Sequence, residues 1–137
     1  MSLDLQNPQA FTHGQARNPS YGLLIGVDKL IYQLDEVSRL EIFFAVVNDG
    51  DATIDPGIGS SHLLINGVEA KGWSLIVANG PVSIEFNALP PGHPYLFGKQ
   101  LGSVYFGDPG IYKVRWRVGA FSSPEITFRV MPAPRIN

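Results

Sequence analysis

The residues able to do chemistry are few and scattered. His13, His62 and His93 stand too far apart for the i, i+2 or i, i+4 pairing that presents two imidazoles to a metal, and they read as separate surface or loop histidines. Ser60-Ser61-His62 sets hydroxyls beside a base. Neighbours along a strand point to opposite faces, however, and no G-x-S-x-G turn presents a nucleophile. Asn48, Asp49, Asp51 and Asp55 could offer oxygens to Ca²⁺, but the segment lacks the closing glutamate of an EF-hand loop, and turn formation accounts for these residues more simply. Gly57-Ile58-Gly59 lacks the third glycine and the following helix of a phosphate-cradling loop. Glu36 and Glu41, read as parts of one strand, fall on opposite faces and make no acid–base pair. No catalytic residue, metal ligand or cofactor is implied. The absence of cysteine excludes disulfides and thiolate chemistry.

The basic residues form the more orderly pattern. Lys113, Arg115 and Arg117 alternate with Val114, Trp116 and Val118, so in a strand the charges share one face and the apolar residues the other. If the last strand pairs with this one and turns Ile126, Phe128 and Val130 to the core, Arg129 joins the same outward face. Lys113, Arg115, Arg117 and Arg129 are therefore the candidate binding residues, and their partner should be an acidic protein. A solvated face kept charged against edge aggregation is the plainer alternative. Residues 1–70 carry a net charge of −6 and residues 71–137 a net charge of +4, which suggests opposed faces and argues against a generally basic nucleic-acid binder.

The elements that must position these residues read as strands. At 137 residues, 45% hydrophobic and 16% charged, the chain has the size and composition of one soluble domain with one core. Leu23, Ile25 and Val27 alternate in a first strand; Leu40, Ile42, Phe44 and Val46 mark the strongest one, ended by Asn48-Asp49-Gly50-Asp51. His62–Ile65 and Trp73–Val77 are expected as strands around an Asn66-Gly67 reversal. Val82, Ile84 and Phe86 alternate before Pro90-Pro91-Gly92, shorter pieces follow at Tyr95–Phe97 and Leu101–Phe106, and the pattern is most regular over 108–118 and 125–130. No window of eleven residues shows uninterrupted helical spacing, so no helix is expected. The resulting reading is an extended arm over 1–20, a sandwich over 21–131 and a tail over 132–137.

Asp108-Pro109-Gly110-Ile111-Tyr112 resembles the tyrosine corner of immunoglobulin-like domains. With Tyr32, Glu36, Leu40–Asn48 and Leu89-Pro90-Pro91-Gly92, the order is similar to bacterial immunoglobulin-like domains that include an intracellular proteinase-inhibitor type. The resemblance implies an all-β, immunoglobulin-like antiparallel β-sandwich of seven to eight strands, with Val114 where antibody domains carry their second cysteine. The function expected is noncatalytic protein binding. A proteinase inhibitor presenting the Gly92–Gly102 loop, a dimeric structural subunit and an enzyme assembled from distant residues are the alternatives.

Trp116 is expected as a core anchor, while Trp73 and Tyr95 stand as candidate partner contacts. Phe43 and Val47 fall opposite the core-directed row, so the arm or a second copy in a homodimer should cover them. Met1–Ala10 shows no secretory pattern, and no apolar run approaches the length of a membrane helix, which sets the expectation at a cytoplasmic protein without a membrane.

Overall fold

The computed structural model describes residues 16–17, 21–78 and 83–132. The readings placed on His13, on Val82 and on most of the arm and tail lie outside the described residues. In chain order the elements are β1 (Ala16–Arg17), β2 (Tyr21–Val27), β3 (Ile31–Gln33), β4 (Glu41–Asn48), β5 (His62–Ile65), β6 (Val68–Glu69), α1 (Trp73–Ala78), β7 (Pro94–Gln100), α2 (Gly102–Tyr105), β8 (Gly110–Val118), β9 (Phe121–Ser122) and β10 (Ile126–Met131). They build an all-β protein of two sheets. One has the order β1-β2-β4-β7; the other has the order β3-β10-β8-β5-β6, with β9 against β8.

The chain reaches both sheets early because β2 ends at Val27 and a bend over 28–30 carries it across, so that β3 pairs parallel with β10. The expectation of purely antiparallel pairing is corrected at that one place among the described pairs. The crossing is pinned by Tyr32, 1% exposed, whose hydroxyl donates to the Asp28 carboxylate. Burial, then that carboxylate, pushes the phenol's ionisation far above its usual range.

Side chains from both sheets meet in one core. Leu23, Ile25, Leu40, Ile42, Phe44 and Val46 face Leu63, Val114, Trp116, Val118, Phe128 and Val130, all buried. Phe44 sits at its centre, with ring centroids 4.9 Å from Phe97, 5.1 Å from Trp116 and 5.2 Å from Trp73. Trp116 has the anchoring place its alternation implied.

Three expected strands take other forms. Trp73–Val77 is helix α1, because Gly72 turns the chain at φ +78° and its carbonyl accepts from the Leu75 and Ile76 amides at 3.1 Å. Trp73 and Val77, one helical turn apart, are both buried. Ile84–Phe86 is a single 3-10 turn that buries Phe86 and leaves Ile84 82% exposed. Leu101–Phe106 holds α2, whose Gly102 lies so close to the Val37 carbonyl that no Cβ could fit. By contrast, β7 is longer than expected and pairs with β4 along its whole length. The Asn66-Gly67 reversal is present, with both φ values positive (52° and 80°), but it joins β5 to β6 instead of to residues 73–77.

Candidate functional site

The candidate site is the outer face of the sheet that contains β8. Val114, Trp116 and Val118 are buried while Lys113, Arg115 and Arg117 are exposed, the pleat sending alternate residues to opposite sides. Pairing with β10 sets Thr127 opposite Lys113 and Arg129 opposite Ile111, and directly opposed residues share a face. The structure therefore brings all four sequence-identified cations to one surface. Arg115 Nη2 lies 3.8 Å from Glu125 Oε2; among the described residues no ion pair engages Lys113, Arg117 or Arg129.

Two features of this face were not read from the sequence. At one end Arg129 stands between Ile31 of β3 and Ile111 of β8, which are 58% and 52% exposed. Ile111 was accessible to the same alternation that placed Lys113. Ile31 was not, since only the parallel pairing of β3 carries it to this surface. At the other end Arg117 is opposite His62, and Arg115 is opposite Leu64, itself the partner of Glu69. His62 Nδ1 is held by the Glu69 carboxylate. Behind this pair lies a depression of about 790 Å³ whose lining includes Ser60, His62, Glu69, Lys71 and Ser74.

Ser61 and His62 do not act together. Ser61 is 3% exposed, donates through Oγ to the Ile58 carbonyl at 2.6 Å and accepts from Trp73 Nε1 at 3.0 Å, whereas His62 faces out. Trp73 is thus a buried brace between helix and strand, and not the partner contact that its sequence context suggested. Tyr95 is half-buried against Phe86 and Phe97, and burial raises its ionisation.

Asn48 is fully buried and works as a loop clamp. Its Nδ2 donates to the Ala52 and Leu89 carbonyls at 2.8 Å, and its Oδ1 accepts from the Gly50 amide at 2.9 Å. Asp55 similarly accepts from the Gly57 amide. Among the described residues no three His, Cys, Asp or Glu side chains gather as a metal-binding group, and no helix is long and apolar enough to cross a membrane. Glu36 and Glu41 do not share a strand as expected, since Glu36 belongs to a 3-10 turn and pairs with Lys29 Nζ at 2.8 Å.

The other sheet has a very different outer surface. Its register sets Gly26, Phe43 and Gly98 in one row, Leu24, Ala45 and Leu96 in the next, and Gly22, Val47 and Pro94 in the third. Phe43 is 3% exposed, Ala45 is 0% exposed, and Leu24 and Leu96 pack against them as a second apolar cluster. The expectation that Phe43 and Val47 are covered agrees with the burial of Phe43, whereas Val47 is only half-buried; any part taken by residues 1–15 or 18–20 lies outside the described residues.

No family model matches the chain, and no curated protein matches it, so residue roles come from geometry and chemistry alone.

Proposed function

We propose that the chain is an immunoglobulin-like domain that acts as a noncatalytic protein-binding module, with an acidic protein surface docking on the outer face of β8 and β10. The domain reading is supported by the split of β2 and β3 between the two sheets and by Tyr112, whose hydroxyl donates to the Asp108 carbonyl at 2.5 Å at the start of β8. The observation that carries the binding reading is the row of Lys113, Arg115 and Arg117 beside Arg129. These are four outward cations on adjacent strands, with Ile31 and Ile111 exposed on either side of Arg129. Guanidinium groups beside exposed aliphatic side chains supply both the charge that steers an acidic partner and the apolar area that retains it.

The inhibitor alternative loses its loop, because Pro94–Gln100 is hydrogen-bonded into the sheet as β7. Phe43 and Ala45 are shut from solvent within one chain, so this reading asks for no second copy over them. The imidazole–carboxylate pair at His62 has no hydroxyl bonded to it among the described residues, and the reading takes it as part of a binding surface instead of a nucleophile-activating pair.

The test uses a partner isolated by affinity capture and then titrated in purified form. Arg115→Ser with Arg117→Ser should weaken binding at least tenfold in 50 mM salt, and raising the salt to 300 mM should narrow the gap as charges beyond ~8–10 Å are screened. Unchanged affinity with unchanged salt dependence would remove this face as the interface.

A further inference from the structure

We infer that the depression beside His62 is a carboxylate pocket for the acidic partner, and that His62 must be protonated for it to fill; this rests on the reading of the basic face as protein-binding. Its position is the first reason. His62 is the register partner of Arg117, so the pocket opens where the basic row ends, and a partner lying along β8 reaches it without leaving the sheet. Its walls are the second. Gly59, Ser60, Ala70, Gly72 and Ser74 are small, which leaves room for a planar carboxylate, and the two serines carry hydroxyls able to donate to one.

The charges around His62 set the proton requirement. Arg117 faces it from β8, with Arg115 one pair further on; Glu69 faces it from β6; Lys71 lies in the turn beyond. The flanking 3-10 turn Ile58–Ser60 and α1 contribute no charged residue. Glu69 is held on Nδ1, and because a carboxylate accepts, that nitrogen carries the proton. Neutral His62 then leaves Nε2 as a bare lone pair, which repels an anion. Protonated His62 donates from Nε2 and offsets Glu69, raising the balance of Glu69, Lys71 and Arg117 around it from one positive charge to two. Filling the pocket with a carboxylate therefore takes up one proton where His62 starts neutral, and affinity falls as pH rises.

Hexaglutamate, acetylated and amidated, is the probe, titrated into the intact chain while its amide resonances are followed. Two control peptides separate carboxylate sources: hexaglutamine amide has no carboxylate, and hexaglutamine with a free C-terminus has one at its end. The expected result is that hexaglutamate shifts the Ser60, Lys71 and Ser74 amides along with those of β8. Its affinity should drop about three- to tenfold between pH 5.5 and 7.5, inside the limit of about tenfold per pH unit that uptake of one proton sets. His62→Gln, at an exposed position, should abolish that pH dependence and spare the β8 shifts. Pocket shifts produced by the free-acid hexaglutamine and not by hexaglutamate would reassign the pocket to a chain terminus and overturn the side-chain form. Shifts confined to β8 and β10 with pH-independent affinity would overturn the pocket while leaving the face reading intact. Failure of hexaglutamate to shift either region would overturn both.

Discussion

The two sheets share one core yet treat their outer faces in opposite ways. The β1-β2-β4-β7 sheet turns outward three rows composed only of Gly, Ala, Val, Leu, Phe and Pro, and its Phe43 and Ala45 are as buried as residues on the inner side. The sheet containing β8 turns outward Lys113, Arg115, Arg117 and Arg129, all exposed. A sheet whose outer face is mostly apolar and partly buried serves mainly the packing of the domain. A sheet buried on one face frees the other for charge. The contrast is the reason the proposed interface is sought on the second sheet, and changes on the two outer faces should have unlike consequences.

The largest effect should come from large apolar residues, whichever side of the four-stranded sheet they occupy. Trp116→Ala should lower unfolding free energy by about 3–5 kcal/mol, and Phe43→Ala, on the outer face, by about 3 kcal/mol, both read by chemical denaturation. A cost below about 1 kcal/mol at Phe43 would break the comparison, since that face would then be ordinary surface. Tyr112→Phe should cost about 1 kcal/mol by removing the bond to the Asp108 carbonyl, visible as a modest fall in Tm. Its ring would keep its edge-to-face contact with Phe106 and its stacking on Phe128, at centroid distances of 4.9 and 5.8 Å.

Arg115→Ser with Arg117→Ser should leave stability within about 0.5 kcal/mol of the parent, because exposed charges add little to folding. Matched denaturation curves with weakened partner binding would sharpen the contrast between a structural and a presenting sheet. The smallest effect concerns acid. Lys29, hydrogen-bonded to Glu36, and then the Gln33 amide hold the Glu36 carboxyl below the usual carboxylate range. Its contribution is fully present above the unfolded value of about 4.3 and is lost as pH falls through the lower folded value. Glu36→Gln should therefore lower stability slightly at neutral pH and not at pH 2, as followed by thermal unfolding across that range.

Much of this was legible in the sequence wherever alternation was long. The row 23/25/27, the row 40/42/44/46 and the row 114/116/118 each point where a period of two sends them, because a half-buried strand cannot shift by one residue without exposing its core side. The basic face was legible for the same reason. Short elements were not. Trp73, Ile76 and Val77 already carry the i, i+3, i+4 spacing of one helical turn, but six residues are too few to separate from a strand by pattern, and the deciding factor is the turn at Gly72.

The sequence by itself determined the strand-rich class, the inward residues of each long strand, the Asn66-Gly67 reversal and the shared face of Lys113, Arg115 and Arg117, all of them consequences of local sterics and a two-residue period. The tertiary structure alone decided which strands are neighbours. That pairing set Ile31 beside Arg129, gave Arg117 His62 as its partner, enclosed the depression behind Glu69 and gathered Phe43, Ala45, Leu24 and Leu96 into an apolar cluster on the outer face of the other sheet. Pairing depends on how separate segments bury their surfaces against one another, and no period within a single segment contains that information.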